Sequence, residues 1–162
     1  MKKLFSLLLC VLLAVGTVIA KTKEMPEYTL DGAGTSSAQG TYLVKVAVMT
    51  KDKKIPESEL IRAAIHGVLF KGYTNTAVRP ARQVKPIAGS PANEAKNADY
   101  FTNFFDSESG AFKNYASTVA GSRSVMKSGK QYKVTLTVSV FKDQLRKDLE
   151  EAGVLESLNS IF

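Results

Sequence analysis

The chain has 162 residues, a formal net charge of +7 and one cysteine, Cys10. This length suffices for one folded domain, and a single cysteine excludes an intrachain disulfide and any metal site built on a cysteine pair. The basic excess favours anionic partners, but the basic residues are spread along the sequence, so we expect no nucleic-acid partner.

Residues 1–20 have the pattern of a cleaved signal peptide. Lys2 and Lys3 form a positive start, and residues 4–15 are almost entirely apolar. As a helix this apolar run would be about 18 Å long, too short for a hydrocarbon core of about 30 Å. We therefore expect cleavage after Ala20, export to the periplasm or out of the cell, and no transmembrane helix in the mature form.

Cys10 lies within that apolar run and raises the alternative of a lipid attachment site. Such a site requires a small residue immediately before the cysteine, and here that residue is Leu9. We favour a signal peptide whose removal leaves a cysteine-free mature chain. Lipid attachment and an uncleaved N-terminal anchor are the alternatives.

Residues 21–40 are predicted to form a flexible tether. Residues 21–27 are rich in charge and residues 31–40 in Gly, Ser and Ala, so the segment has little apolar area to bury. Within it, residues 28–30 have the composition of a short strand. A single globular domain is predicted to occupy residues 41–162.

The first predicted elements of this domain are a strand and a helix. Residues 41–50 alternate between apolar and polar side chains, as in a strand with one buried face. From residue 57 to 71 the apolar residues recur at helical spacing, with Pro56 suited to the first turn and Gly72 to the C-terminal cap.

An irregular segment and a second helix follow. Residues 74–89 contain two prolines, which leaves room for only a short strand near residues 81–84. Ser90 as the cap and Pro91 at the first position predict a helix that ends near Phe105.

The C-terminal third has the clearest strand pattern. Residues 132–140 alternate strictly, and Ser128 and Gly129 predict a hairpin turn from a preceding strand. Asp143 then begins a short helix that Gly153 ends. Together the elements predict an α+β fold: a single two-layer domain, with an antiparallel or mixed sheet and helices packed mainly on one face.

Two sets of side chains are candidates for a binding surface. Arg79, Arg82 and Lys85 lie three residues apart in the irregular segment, where a loop can bring them together as a surface that contacts anions. Tyr100 and Phe104 belong to the densest aromatic stretch, and a helix that turns Phe101 and its neighbours inward leaves one of them at an exposed rim. The alternatives are a solvated basic loop and ordinary core packing.

Catalytic and metal-binding signatures are absent from the sequence. His66 is the only histidine, and on a helical wheel it lies opposite the apolar stripe, so we interpret it as a solvated surface residue. No phosphate-binding loop, nucleophile elbow or zinc-binding helix motif is present. We therefore predict no catalytic residues, no metal and no cofactor.

Three segments carry a resemblance to a known group of proteins. They are residues 64–73 (AIHGVLFKGY), 85–88 (KPIA) and 140–150 (VFKDQLRKDLE). Over about residues 40–158 the chain resembles a group of small, uncharacterised exported bacterial proteins. The resemblance implies the same compartment and a common fold, but no activity.

These observations favour an exported cell-envelope module that binds a protein or an anionic surface polymer without catalysis. One alternative is a hydrolase or lyase of envelope polymers, with Asp99, Asp106 or Glu108 acting together with Tyr100 or His66. The other is a small-molecule carrier whose apolar pocket, between helices and sheet, would include aromatic residues of the second helix and strand valines.

Overall fold

The computed structural model describes residues 24–106 and 110–156, and the predicted signal peptide lies outside these residues. One seven-stranded mixed sheet organises this part of the chain. The strands are β1 (Tyr28–Gly32), β2 (Tyr42–Thr50), β3 (Tyr73–Asn75), β4 (Arg82–Val84), β5 (Ala116–Thr118), β6 (Ser124–Ser128) and β7 (Gln131–Val140). The helices are α1 (Glu57–His66), α2 (Pro91–Lys96), α3 (Ala98–Phe104) and α4 (Lys142–Glu151), with a π-helical turn at Gly67–Lys71 and a 3-10 turn at Ala111–Tyr115. None of the described helices is long and apolar enough to cross a membrane.

The centre of the sheet is the antiparallel pair of β2 and β7. Their register runs from Tyr42 opposite Val140 to Thr50 opposite Tyr132. The strand order is β4-β3-β1-β2-β7-β5, with β6 pairing with the first half of β7. All pairs are antiparallel except that of β1 with β3.

The two faces of the sheet have different partners. On β7, Val134, Leu136, Val138 and Val140 are buried, whereas the residues between them are partly exposed. Helix α1 packs against β2 and β7 on the buried side, and its apolar side chains join the valines of β2 in one core. The fold is therefore α+β with helices on one face of a mixed sheet, as the sequence predicts.

The predicted start of the domain at residue 41 is wrong. Tyr28–Gly32, inside the predicted tether, form β1, which pairs with β2 on one side and β3 on the other. Gly67 lets this strand pack closely on α1, because a Cβ at that position would lie 2.8 Å from the Leu30 side chain. The short strand expected at residues 28–30 is therefore present, but its contact with Gly67 joins residues almost forty positions apart, which no local pattern shows.

The other element predictions hold with small changes. The first helix extends into the π-helical turn and ends at Gly72, whose φ is +68°. The predicted second helix is interrupted at Asn97, which separates α2 from α3. The hairpin turn at Gly129 is confirmed, but the residue before α4 is Phe141 and no side chain caps that helix.

Candidate functional site

The three predicted basic residues lie around the β3–β4 hairpin, which forms one edge of the sheet. Arg82 begins β4, Lys85 follows its end, and Arg79 lies in the connecting turn. All three side chains are exposed. Arg82 and Lys85 line an open groove of about 830 Å³, which we name the basic groove; Arg79 does not line it. The structure therefore brings two of the predicted residues into one concave surface.

The basic groove is formed by segments that are distant in sequence. One wall is the β1–β2 loop, residues 34–41, and the other is the β3–β4 hairpin. Tyr42 and Tyr73 lie between these walls, and Lys142 at the start of α4 closes one end. These last three residues carry no signal in the sequence, because none of them belongs to a basic or aromatic cluster along the chain.

Hydrogen bonds and ring contacts hold the walls of the groove. The side-chain amide of Asn75 donates to the Gly34 carbonyl over 2.9 Å, which ties the β1–β2 loop to β3. The rings of Tyr42 and Tyr73 meet edge to face with centroids 5.8 Å apart. Burial raises the pKa of Tyr73, so its hydroxyl stays neutral at physiological pH.

A second attachment holds the far side of the β1–β2 loop. The Asp143 backbone N–H donates to the Gly40 carbonyl over 3.2 Å. Gly40 has a φ of +71°, and a Cβ there would lie 2.6 Å from Asp143 Oδ2. A glycine is therefore required for the loop to approach α4 this closely.

The lining of the basic groove is positively charged. Arg82, Lys85 and Lys142 contribute cations, and no carboxylate is among the lining residues. Lys142 contacts the Asp143 carboxylate and lies 5.4 Å from the centre of the Tyr42 ring. Arg82 and Lys85 form no ion pair with the described residues, so their charge is available to an anionic ligand.

The predicted aromatic candidates lie elsewhere. Phe104 is only 4% exposed and contacts Tyr115, with ring centroids 5.7 Å apart, so it belongs to the core and not to an exposed rim. Tyr100 is partly buried and stacks on Phe104. Neither residue lines the basic groove. The structure therefore does not join the aromatic candidates to the basic ones.

His66 is buried in a hydrogen-bonded cluster, so its interpretation as a solvated residue is wrong. The Tyr28 hydroxyl lies 2.6 Å from His66 Nδ1, and Glu94 Oε1 lies 3.1 Å from Nε2. The imidazole is 12% exposed and packs against the rings of Phe70 and Phe105. Strand β1 and helix α2 cover the side of α1 that the helical wheel leaves in solvent.

The cluster favours one protonation state. Burial lowers the pKa of His66, although the Glu94 carboxylate opposes the shift. In the neutral ring, Nε2–H donates to Glu94 and Nδ1 accepts the Tyr28 hydroxyl proton. Burial also raises the pKa of Tyr28, which keeps the phenol neutral. Both ring nitrogens are thus engaged by side chains of the protein.

The carboxylates proposed for hydrolysis do not join this cluster. Asp99 and Asp106 are exposed, and Glu108 lies outside the described residues. The histidine partner is instead Glu94 on α2, which the sequence analysis did not select. No group of His, Cys, Asp and Glu side chains suited to a metal ion occurs in the described ranges 24–106 and 110–156.

An apolar groove of about 450 Å³ is the nearest equivalent of the predicted carrier pocket. Phe101 and Phe105 line it as expected. Its other walls are Met25 and residues of α1 and α2, and no strand valine lines it. It therefore lies beside the helices and not between helices and sheet.

Comparison with known proteins gives no family and no relative for this chain. No protein-family model matches the chain, and no significant match is found among curated proteins or solved structures. The resemblance to small exported bacterial proteins stays a prediction.

Proposed function

We propose that the protein is an exported, non-catalytic module of the cell envelope that binds an anionic surface polymer in the basic groove. The observation that carries this proposal is the groove's lining, which combines three cations with two tyrosines and contains no carboxylate. A concave surface of this composition attracts an extended polyanion and orients it.

The chemistry of the lining suits an acidic polysaccharide. The planar guanidinium of Arg82 can bind a carboxylate through two parallel hydrogen bonds, and Lys85 adds a second charge on the same strand edge. Side-chain hydroxyls and amides of the β1–β2 loop, including Thr35, Ser36 and Gln39, can bond sugar hydroxyls. The open form of the groove permits a long chain to pass through it.

The His66 cluster supports a non-catalytic role. A general base needs a ring nitrogen directed at the proton that it removes. Here the Tyr28 hydroxyl and the Glu94 carboxylate lie at the two nitrogens, and the ring is packed among aromatic side chains. We therefore assign the cluster a structural function, which is to join β1, α1 and α2.

A binding experiment with matched variants tests the proposal. The full chain is titrated calorimetrically with polygalacturonate as the acidic probe and with dextran as the neutral one. Charge-assisted hydrogen bonds contribute about 1.5–3 kcal/mol each, so Arg82→Gln with Lys85→Gln should weaken polygalacturonate binding at least about tenfold. Dextran should not bind.

The control removes the same charge outside the groove. Arg79→Gln with Lys96→Gln changes two exposed cations, neither of which lines the groove. This variant should bind within about twofold of the wild type. Equal losses in the two variants, or no saturable binding of any acidic polymer, would overturn the proposal.

A further inference from the structure

A second basic surface lies at the other end of the sheet. Lys51, Lys53 and Lys54 lie in the β2–α1 turn, and Lys127 and Lys130 lie in the β6–β7 hairpin. All five side chains are exposed, and none of them lines the basic groove or the apolar groove. We name these five lysines the basic end. Lys127 lies near the end of β6 and the other four lie in turns, and none of the five lines a pocket in the described part of the chain, so their surface is convex.

The strand register brings the two turns together. Thr50, the last residue of β2, pairs with Tyr132 of β7, and Tyr132 pairs in turn with Lys127 of β6. The Arg123 guanidinium also donates to the Ile55 carbonyl over 2.8 Å, which joins the loop before β6 to the β2–α1 turn. Lysines more than seventy residues apart in sequence thus share one surface.

The basic end contains almost no compensating charge. Asp52 is the only acidic residue in the sequence between positions 50 and 55 or 123 and 133. Its carboxylate accepts the Lys54 backbone N–H over 2.8 Å and so supports the turn. None of the five lysines has an ion-pair partner among the described residues. Much of the chain's positive excess is therefore gathered on this one surface.

Apolar side chains lie exposed beside these lysines. Val125 and Met126 on β6 are 43% and 62% exposed. As consecutive residues of a strand they lie on opposite faces of the sheet, and Val125 shares its face with Lys127. Exposed apolar side chains among lysines match the boundary between charged headgroups and acyl chains in a bilayer. Five lysines at one surface also fall within the range that adsorbs to anionic lipid.

We propose that the basic end docks the protein on an anionic lipid bilayer surface. A broad sheet of headgroup charge suits a convex cluster of lysines, since lysine acts as a mobile point charge and needs no fixed partner geometry. Val125, on the same face of β6 as Lys127, adds a shallow apolar contact. An acidic protein segment that pairs with the β6 edge is the competing occupant, and the experiment separates the two.

The basic end and the basic groove lie at opposite ends of β2, so the protein can bridge a membrane and a ligand. β2 has nine residues, so its two ends lie about 26 Å apart. Tyr42 at one end lines the basic groove, and Thr50 at the other end leads into the basic end. The protein can therefore hold a ligand in the groove while it rests on a membrane. The docking proposal goes beyond the groove's function and does not depend on it.

Vesicle co-sedimentation tests the docking proposal on the full chain. The vesicles contain phosphatidylcholine alone or equal parts of phosphatidylcholine and phosphatidylglycerol. We expect binding to the anionic vesicles to fall at least about tenfold for Lys51→Gln/Lys53→Gln/Lys54→Gln. The control, Lys96→Gln/Lys113→Gln/Lys147→Gln, removes three exposed charges elsewhere and should bind within about twofold of the wild type. Residues 1–23 are the same in every variant, so a difference between variants is assigned to the substituted lysines.

A second variant separates a bilayer from an acidic protein segment. Val125→Ser/Met126→Ser leaves all five lysines in place and should weaken vesicle binding by several fold, while binding of soluble polyglutamate stays unchanged. Unchanged vesicle binding in this variant, with polyglutamate bound as tightly as anionic vesicles, would overturn the proposal in favour of an acidic protein partner. Equal loss in the two triple-lysine variants would also overturn it.

Discussion

The basic groove and the basic end are both positively charged, yet their charges are held differently. In the groove, Arg82 and Lys85 lie in a concave surface whose walls are fixed by hydrogen bonds from Asn75 and Asp143. At the basic end, the lysines project from the β2–α1 turn and the β6–β7 hairpin, and the bonds that hold these segments are made to backbone groups. The groove can therefore select a ligand by geometry, whereas the basic end responds mainly to charge density.

This difference predicts which substitutions each region tolerates. A change in backbone shape should damage the groove and spare the basic end. A change of charge should affect both regions, and an exchange of one cation for another should matter only in the groove. The following predictions test this separation in order of expected effect.

The largest effect is expected from Gly40→Ala. A non-glycine residue at a φ of +71° costs about 1–2 kcal/mol, and the added Cβ would lie 2.6 Å from Asp143 Oδ2. We expect a loss of about 2 kcal/mol in the free energy of unfolding and a loss of about tenfold in groove affinity, with vesicle binding unchanged. Urea unfolding and the two binding assays measure these quantities.

Gly129→Ala is the matched control at the basic end. Its φ is +60°, and no atom lies within 4 Å of the added Cβ. It should cost about 1 kcal/mol of stability and leave both binding activities intact. If Gly40→Ala leaves groove affinity unchanged, the β1–β2 loop does not shape the binding surface.

Exchange of arginine for lysine, or of lysine for arginine, should reduce binding in the basic groove but not at the basic end. Arg82→Lys keeps the charge but removes the planar fork, so polygalacturonate affinity should fall about fivefold. Lys54→Arg at the basic end should leave vesicle binding within about twofold. A strong response at Lys54 would show that the basic end recognises a specific geometry after all.

Salt should weaken binding at the basic end more steeply than binding in the groove. Exposed charges are screened over about 8–10 Å in physiological salt, and five lysines act at the basic end whereas three cations line the groove. Between low salt and about 0.5 M salt, vesicle binding should fall by a larger factor than polygalacturonate binding. Equal salt dependence in the two assays would remove the distinction between the regions.

The smallest effect on binding is expected from mild acid, which should act on stability. Burial lowers the pKa of His66 in the folded state, so the unfolded chain, with a value of about 6.5, takes up the proton more readily. The stability that neutral His66 contributes is present above about pH 6.5 and is lost as the pH falls through the folded-state value.

Urea unfolding over a series of pH values measures this loss, and His66→Gln should flatten the profile. Lysine and arginine keep their charge in this range, so binding at both regions should persist while the protein stays folded. A wild-type profile as flat as that of His66→Gln would contradict the assignment of a neutral, buried imidazole.

Part of the candidate site was predictable from local sequence. Arg82 and Lys85 were selected because prolines keep their segment irregular, and they line the groove. Tyr42, Tyr73 and Lys142 were not selected, since each belongs to a different element and only the sheet and the start of α4 bring them together. The aromatic prediction placed Tyr100 or Phe104 at a rim, but Phe104 is buried against Tyr115 and Tyr100 is partly buried.

By itself, the sequence determined the elements that a short, regular pattern of apolar and polar residues, or a single glycine, specifies. The strict alternation in β7, the helical stripe of α1 and the glycine turns at Gly72 and Gly129 each specify a local backbone geometry. From these elements the α+β class follows, because their apolar faces have to cover one another.

Only the tertiary structure decided which distant segments meet. It placed β1 inside the sheet and so brought His66 against Tyr28, although the helical wheel puts His66 on the polar side of α1 and Tyr28 belongs to the predicted tether. The basic residues are spread along the chain, and the tertiary structure gathers some of them in the concave basic groove and others at the convex basic end. Pairing between strands depends on contacts across many residues, and a local pattern of side chains carries no record of such contacts.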